Sequence, residues 1–394
     1  MRAQVTVEEA LALVMEACSP KAPQETPTAM AVDRPLCADG VARWDLPPFD
    51  RAAVEGYAVR ASDLHRANHK RPAFLTVVDA VAAGATAPVP VGPGQAVRLS
   101  AGAPLPAGCD CVVPLVDTDG GAETVAVLCQ LWPFENIQRQ GELAAAGEVL
   151  CPAGATLDAG LSSLLRAAGT PAVQVRPMAQ IGVLTVGDDL VPAGSAFLPP
   201  AKVPDFTQLY LAECWADKVD GTLSQWRPER LEEVMAGCKE LLPTGISILL
   251  IAGGGRTVRE ALLQLGADPL FDGLKLRGAE TTAAFRYRQV LILALPRAPF
   301  AAAVTARLLV PAVLAVLGED AALLPRRKKL RLLNTVEQTR PERRLLPAKL
   351  QKGGLLLLDP DRESLRALAG LEALADLPAE AKPLPGETVT ALLL

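Results

Sequence analysis

From Ala179 onward the chain repeats one pattern: an apolar run, a glycine or proline punctuation, then an amphipathic stretch. The runs are QIGVLTV, ISILLIAGGG and QVLILALP, and the helical stretches fall around Phe206 to Ala216, Thr257 to Leu265 and Phe300 to Leu317. Apolar strands alternating with helices imply a parallel sheet covered on both faces. Ligands on such sheets collect beyond the carboxyl ends of the strands. Those ends carry Gly187-Asp188-Asp189, Gly253-Gly254-Gly255 and Pro296-Arg297-Ala298-Pro299.

At 394 residues the chain exceeds one ordinary core, so two to four domains are expected. Val7 to Cys18 reads as a helix with Thr6 as N-cap and Pro20 as its end. Ala73 to Val127 holds short strand signals between Gly and Pro turns, which indicates a small β-domain. A second helix spans Asp158 to Ala168, stopped by Gly169, and is expected to pack against the first. After Pro325, RRKKLR reads as a solvated linker, DRESLRALAGL as a helix, and GGLLLL and ETVTALLL as strands; Arg343 is taken as an exposed surface charge.

Composition narrows the class. Half the residues are hydrophobic but only 4% are aromatic, and the net charge is −5. Base-stacking platforms and general attraction to nucleic acid or anionic membrane are therefore not expected. The eight cysteines form no CxxC pair and read as small buried hydrophobes of a reducing compartment. Strand alternation would put Cys109 and Cys111 on one face. His65 and His69, the two histidines, lack a metal-protease pattern and read as exposed loop residues. The N-terminal stretch has acids within its apolar pattern, unlike a signal peptide or anchor, and the apolar runs noted fall short of a spanning helix, so a cytoplasmic protein is expected.

The segment Leu46 to Arg60, LPPFDRAAVEGYAVR, concentrates chemistry. Pro47-Pro48 rules out a helix, and Gly56 permits a tight turn that would present the carboxylates of Asp50 and Glu55. The segment resembles the signature of the MoeA family, which includes the E domain of gephyrin. Gly102 to Gly108 followed by CDCVVP, and GELAAAGEVLCPAGATLDAGLSSLLRAAG, resemble further segments of that family, with Ala101 and Leu143 as departures.

The resemblance implies a multidomain α/β plus β fold: an elongated helical and extended N-terminal dimerisation domain (1–45 and 141–177), an inserted small β-domain (46–140), a three-layer parallel α/β molybdopterin-binding domain (178–325) and a C-terminal β-barrel-like domain (326–394). It also implies insertion of molybdate into adenylylated molybdopterin with release of AMP, aided by Mg2+, in a homodimer that works among other molybdenum-cofactor synthesis proteins. The residues it assigns are Glu55 and Asp189 as catalytic; Asp50, Gly56, Tyr57, Asp188, Gly253, Gly254 and Arg277 as substrate-binding, Arg277 with the Gly253-Gly254 turn as phosphate cradle; and Asp50, Glu55 and Asp189 as metal-holding.

Several matching positions are substituted: Glu280 stands for a lysine, the place of one acid falls near Ala261, PRAPFA occupies 296–301, and the neighbourhood of Pro360 to Glu363 lacks a serine motif. Two readings stay open: a transferase, or a catalytically degenerate molybdopterin-binding or scaffold protein acting with an active paralogue.

Overall fold

The computed structural model describes residues 2–85 and 89–394; residues 1 and 86–88, the latter within the expected β-domain, lie outside the described residues. The chain forms two compact units, Met1–Gln24 with Arg176–Leu394, and Glu25–Val175.

The first unit is built on a seven-stranded sheet. Its elements in chain order are β1 (Arg2–Val5), α1 (Val7–Glu16), β2 (Ile181–Val186), α2 (Phe206–Glu213), β3 (Thr222–Arg227), α3 (Leu231–Leu241), β4 (Ile248–Gly253), α4 (Gly255–Gln264), β5 (Asp268–Leu274), β6 (Ala283–Tyr287), β7 (Val290–Leu295) and α5 (Pro299–Gly318). The strand order is β1-β5-β6-β7-β4-β2-β3. The pairs are parallel as expected, except that β6 runs antiparallel to both β5 and β7.

Alternation along the strands feeds two cores. Ile181, Val183, Ile248 and Leu250 face the layer with α1, α2 and α5, whereas Leu184, Val186, Leu249 and Ile251 face α3 and α4. Each such fully buried side chain contributes about 1.5–3 kcal/mol. Helix α5 is long and apolar enough to cross a membrane by composition, but 83% of that stretch is buried within this unit.

The expected N-terminal segment 1–45 divides. Strand β1 pairs with β5, and Val7, Ala10 and Val14 of α1 join the core that α5 fills, so the first 24 residues belong with the α/β layers. Helix α1 is held at its start by a capping box, Glu9 N–H to Thr6 Oγ1 at 3.2 Å and Thr6 N–H to Glu9 Oε2 at 2.8 Å. The helix expected at 158–168 spans Ala159–Ala167, and its Leu165 packs with Leu36, Cys151, Leu157 and Val175 instead.

The first unit ends in five antiparallel strands, β8 (Arg326–Arg331), β9 (Arg344–Gln351), β10 (Gly354–Leu357), β11 (Ala373–Leu377) and β12 (Thr388–Leu393), ordered β8-β12-β11-β9-β10. A bridge from Leu332 to Leu355 brings the two edges together, as a barrel requires. The basic run read as a linker is strand β8, all six residues of which pair with β12. The helix expected after Asp361 is only a single 3-10 turn, Leu365–Leu368.

The second unit centres on a five-stranded sheet in the order 111–114, 56–59, 95–99, 73–81, 124–127. Tyr57, Val59, Leu75, Val113 and Val125 fill one face; Ala58, Val97, Leu99 and Val112 fill the other. Cys111 lies in the first cluster and Cys109 against the second. They do not share a face, because the strand begins only at Cys111. All eight cysteines are free thiols, and burial pushes Cys109, Cys111, Cys214 and Cys238 up to about 12.

Candidate functional site

At the end of β4 three glycines in succession take positive φ, +91°, +67° and +35° for Gly253, Gly254 and Gly255. A Cβ on Gly253 would lie 2.2 Å from the Val186 carbonyl oxygen, so neither the backbone angle nor the space admits a side chain. The turn delivers the chain straight into α4, whose first N–H groups have no side-chain cap. Such an end attracts anions.

Two hollows meet at this turn, sharing Gly253 and Arg297. One, of about 500 Å³, is walled by Thr185, Asp189, Asp205, Thr207, Gly253 and Arg297 among others. The other, of about 220 Å³, is walled by Glu229, Gly253 to Gly255, Arg259, Thr281 and Arg297 among others. Arg297 links the charges: Nη2 lies 2.6 Å from Asp189 Oδ1, and Nη1 lies 3.2 Å from Glu229 Oε2. Arg259 steadies the loop by donating to the carbonyls of Gly255 at 3.1 Å and Thr281 at 2.7 Å. Asp188 walls neither hollow; it accepts from Glu229 N–H at 3.3 Å, and its carbonyl accepts from Lys202 Nζ.

Asp205, absent from the residues expected on sequence grounds, is 2% exposed at the base of the larger hollow. Its Oδ1 accepts from Gln208 N–H at 3.0 Å, capping α2, and its Oδ2 accepts from Thr185 Oγ1. The Asp-x-x-Gln spacing at 205–208 is a helix-start signal that could have located it. Ala261, by contrast, is fully buried in the core beneath α4, so the expected place of an acid does not face the hollow.

Arg277 walls neither of these hollows. It walls a third, of about 270 Å³, with Arg340, Arg344, Asp361, Arg362 and Glu363. The expected cradle of Arg277 with Gly253-Gly254 is thus split between separate hollows, because the backbone after β5 is tied by Arg277 N–H to the Arg343 carbonyl at 2.9 Å.

In the second unit Asp50 is exposed, and its Oδ1 accepts from Gln140 N–H at 2.7 Å. Asp45 accepts from Gln140 Nε2 at 2.6 Å and Ala146 N–H at 2.8 Å; the Ala146 bond, then the Gln140 bond, holds its carboxyl below its usual range. Glu55 lies 3.6 Å from Arg98. Gly56 and Tyr57 sit inside the sheet. A Cβ on Gly56 would meet the Val113 carbonyl oxygen at 1.9 Å. Tyr57 is fully buried, with its hydroxyl donating to the Gly121 carbonyl at 3.0 Å. Contrary to expectation, both therefore serve strand packing and offer a ligand no surface.

Residues 5–169 match the family model described as the MoeA N-terminal region, domains I and II. Molybdopterin molybdenumtransferase 2 of Mycobacterium tuberculosis is 33% identical over 217 residues, which is 55% of this chain and 53% of that protein. Molybdopterin molybdenumtransferase of Synechococcus elongatus is 28% identical over 377 residues, covering 91% of each chain. The crystal structure of the molybdopterin biosynthesis MoeA protein from Pyrococcus horikosii superposes with a TM-score of 0.86 across 99% of both chains, at 24% identity. Residues 5–169 are thus similar to the MoeA N-terminal region, and the fold of the chain is that of the solved MoeA protein. The match with the Mycobacterium protein spans about half of that relative's length.

The resemblance to the MoeA family raises the question of Mg2+. Among the described residues no three metal-ligating side chains come together. The expected donors are already engaged: Asp189 by Arg297, Glu55 by Arg98, and Asp50 by the Gln140 backbone. Mg2+ is usually held by one or two carboxylates with water and substrate phosphate, so Asp189 at the first hollow would have to release Arg297 to hold it.

Proposed function

We propose that this chain is a MoeA-family protein that works in molybdenum-cofactor synthesis, inserting molybdate into adenylylated molybdopterin with release of AMP. The observation that carries the reading is the Gly253–Gly255 turn with Arg297: backbone N–H groups and a guanidinium face one space of the size and charge a phosphate needs. The similar proteins of Mycobacterium tuberculosis and Synechococcus elongatus are molybdopterin molybdenumtransferases, which supports the same reading. The arginine hollow at Arg277 supplies a second place for an anion, as a reaction between a phosphoanhydride and an oxyanion requires. Asp189 and Asp205 at the first hollow are the acids we assign to the reaction.

Leu143 and Glu280 stand where the family signature carries ionic groups. Lost preorganised groups commonly cost about 10²–10³ in rate each, so turnover is slower than in a relative that retains them. Residues 25–45 and 141–175 expose Met30, Trp44, Leu143 and Val149. That supports a homodimer buried through these residues, and light scattering at micromolar concentration tests it.

The activity test is the purified chain with adenylylated molybdopterin and molybdate. AMP release is read by chromatography and cofactor formation by reactivation of a cofactor-free molybdoenzyme. Neither product, with an intact relative active in parallel, overturns the proposal.

A further inference from the structure

The arginine hollow is unevenly charged. Its walls hold four guanidiniums, of Arg277, Arg340, Arg344 and Arg362, against two carboxylates, of Asp361 and Glu363. Arg344 is 5% exposed; its Nη1 and Nη2 donate to the Gln338 and Ala381 carbonyls at 3.1 Å, and its Nε is buried without a partner. Burial, with repulsion from Arg340 and Arg277, pulls its pKa down against the attraction of Asp361. A buried donor left unmatched is costly and calls for an acceptor.

The two wall carboxylates differ. Asp361 is spent on the backbone, accepting from Glu337 N–H at 3.0 and 2.9 Å and from Gln338 N–H at 2.9 Å. Glu363 Oε1 lies 3.5 Å from Arg277 Nε, and Glu342 Oε2 lies 3.7 Å from Arg277 Nη1. Both separations exceed the roughly 2.7–2.9 Å of a charge-assisted bond. Glu363 is about half exposed, so its side chain is free to leave. Arg277 is held loosely by carboxylates that a stronger anion can displace.

We propose that Glu363 is a built-in competitor for the anion taken by Arg277, and so sets how tightly a tetrahedral oxyanion is held in this hollow. The inference rests on reading Arg277 as an anion cradle. Glu363 must both yield Arg277 and repel the incoming ligand, and the repulsion grows with ligand charge.

The test is titration calorimetry of the full chain at fixed ionic strength with molybdate, a tetrahedral dianion, and perrhenate, a tetrahedral monoanion. Glu363→Gln is compared with wild type and with Glu16→Gln, a change of equal charge on the exposed side of α1. Glu363→Gln is expected to tighten molybdate roughly two- to tenfold and perrhenate less, with Glu16→Gln near wild type. Unchanged molybdate affinity in Glu363→Gln overturns the competitor role and leaves the cradle standing. Equal tightening of both anions also overturns it, since a loosened loop would not distinguish ligand charge. If neither wild type nor Glu363→Gln binds either anion, the cradle reading falls and this inference with it.

Discussion

Arg343 grips Asp376 through two charge-assisted contacts, Nε to Oδ1 at 2.7 Å and Nη2 to Oδ2 at 2.6 Å, and the same guanidinium reaches the Glu8 carboxylate at 2.9 and 3.0 Å. A residue expected to be an exposed charge instead joins α1 to the C-terminal strands. The Asp376 side chain is only 10% exposed, so removing its partner strands a nearly buried carboxylate. Arg343→Ala is expected to cost roughly 2–4 kcal/mol in urea unfolding. An unchanged midpoint would show that the bridge contributes nothing.

The same contact sets an acid dependence. The Arg343 hydrogen bond, aided by Arg327, holds Glu8 down from 4.5 to about 2 against the opposing effect of burial. A carboxylate depressed on folding contributes stability that is present above its unfolded pKa and lost as pH falls through its folded one. The Glu8 contribution is therefore full above pH 4.5 and disappears toward about pH 2. Glu8→Gln should flatten the fall of the unfolding midpoint across that window and leave its slope above it unchanged.

Gly56 tests a close strand approach. Its φ is not left-handed, so the cost of a side chain comes from the neighbouring strand, where a Cβ meets the Val113 oxygen at 1.9 Å. Gly56→Ala is expected to destabilise the second unit by about 1–3 kcal/mol or more, read as a lower transition in scanning calorimetry. Gly84→Ala, where none of the described residues lies within 4 Å of the added carbon, gives the cost of the backbone angle alone.

Arg277→Ala should weaken binding of adenylylated molybdopterin or molybdate roughly ten- to a hundredfold by calorimetry at fixed salt, the loss of a charge-assisted hydrogen bond. Arg343 cannot serve as the surface control. Arg326, exposed on β8, can, and Arg326→Ala should leave the affinity within a few-fold. Equal affinities for wild type and Arg277→Ala would remove Arg277 from the site.

The sequence discloses the α/β layers because burial on both faces leaves uninterrupted apolar runs such as Ile248 to Ala252, short and bounded by glycine, that alternate with amphipathic stretches. It conceals β1 and β8 for opposite reasons. Arg2 to Val5 is too short to show a period, and in RRKKLR charge on nearly every residue hides the pleat that pairing with Thr388 to Leu393 reveals. The helix expected over 361–371 shrinks to one turn where Ser364 caps Arg366 N–H and the chain turns into β11. At the site, Gly253 and Gly254 are legible because only glycine meets the backbone demand. Asp205 is not legible, since a helix cap and a buried carboxylate look alike in one sequence. Tyr57 misleads in the other direction: a ring that resembles a ligand contact is the largest fully buried side chain of its sheet.

The pairing of β1 with β5 also has a consequence in time. Val5 sits opposite Leu274, and the whole of residues 25–175 is made between them. At about 5–20 residues per second, the first strand waits on the order of 15–50 s before its partner exists. The unit of residues 25–175 carries its own cores and can close during that interval. The nascent chain must meanwhile keep Val5, Val7, Ala10 and Val14 from finding another partner, and the capping box at Thr6 and Glu9 favours the local helix that holds three of them on one face.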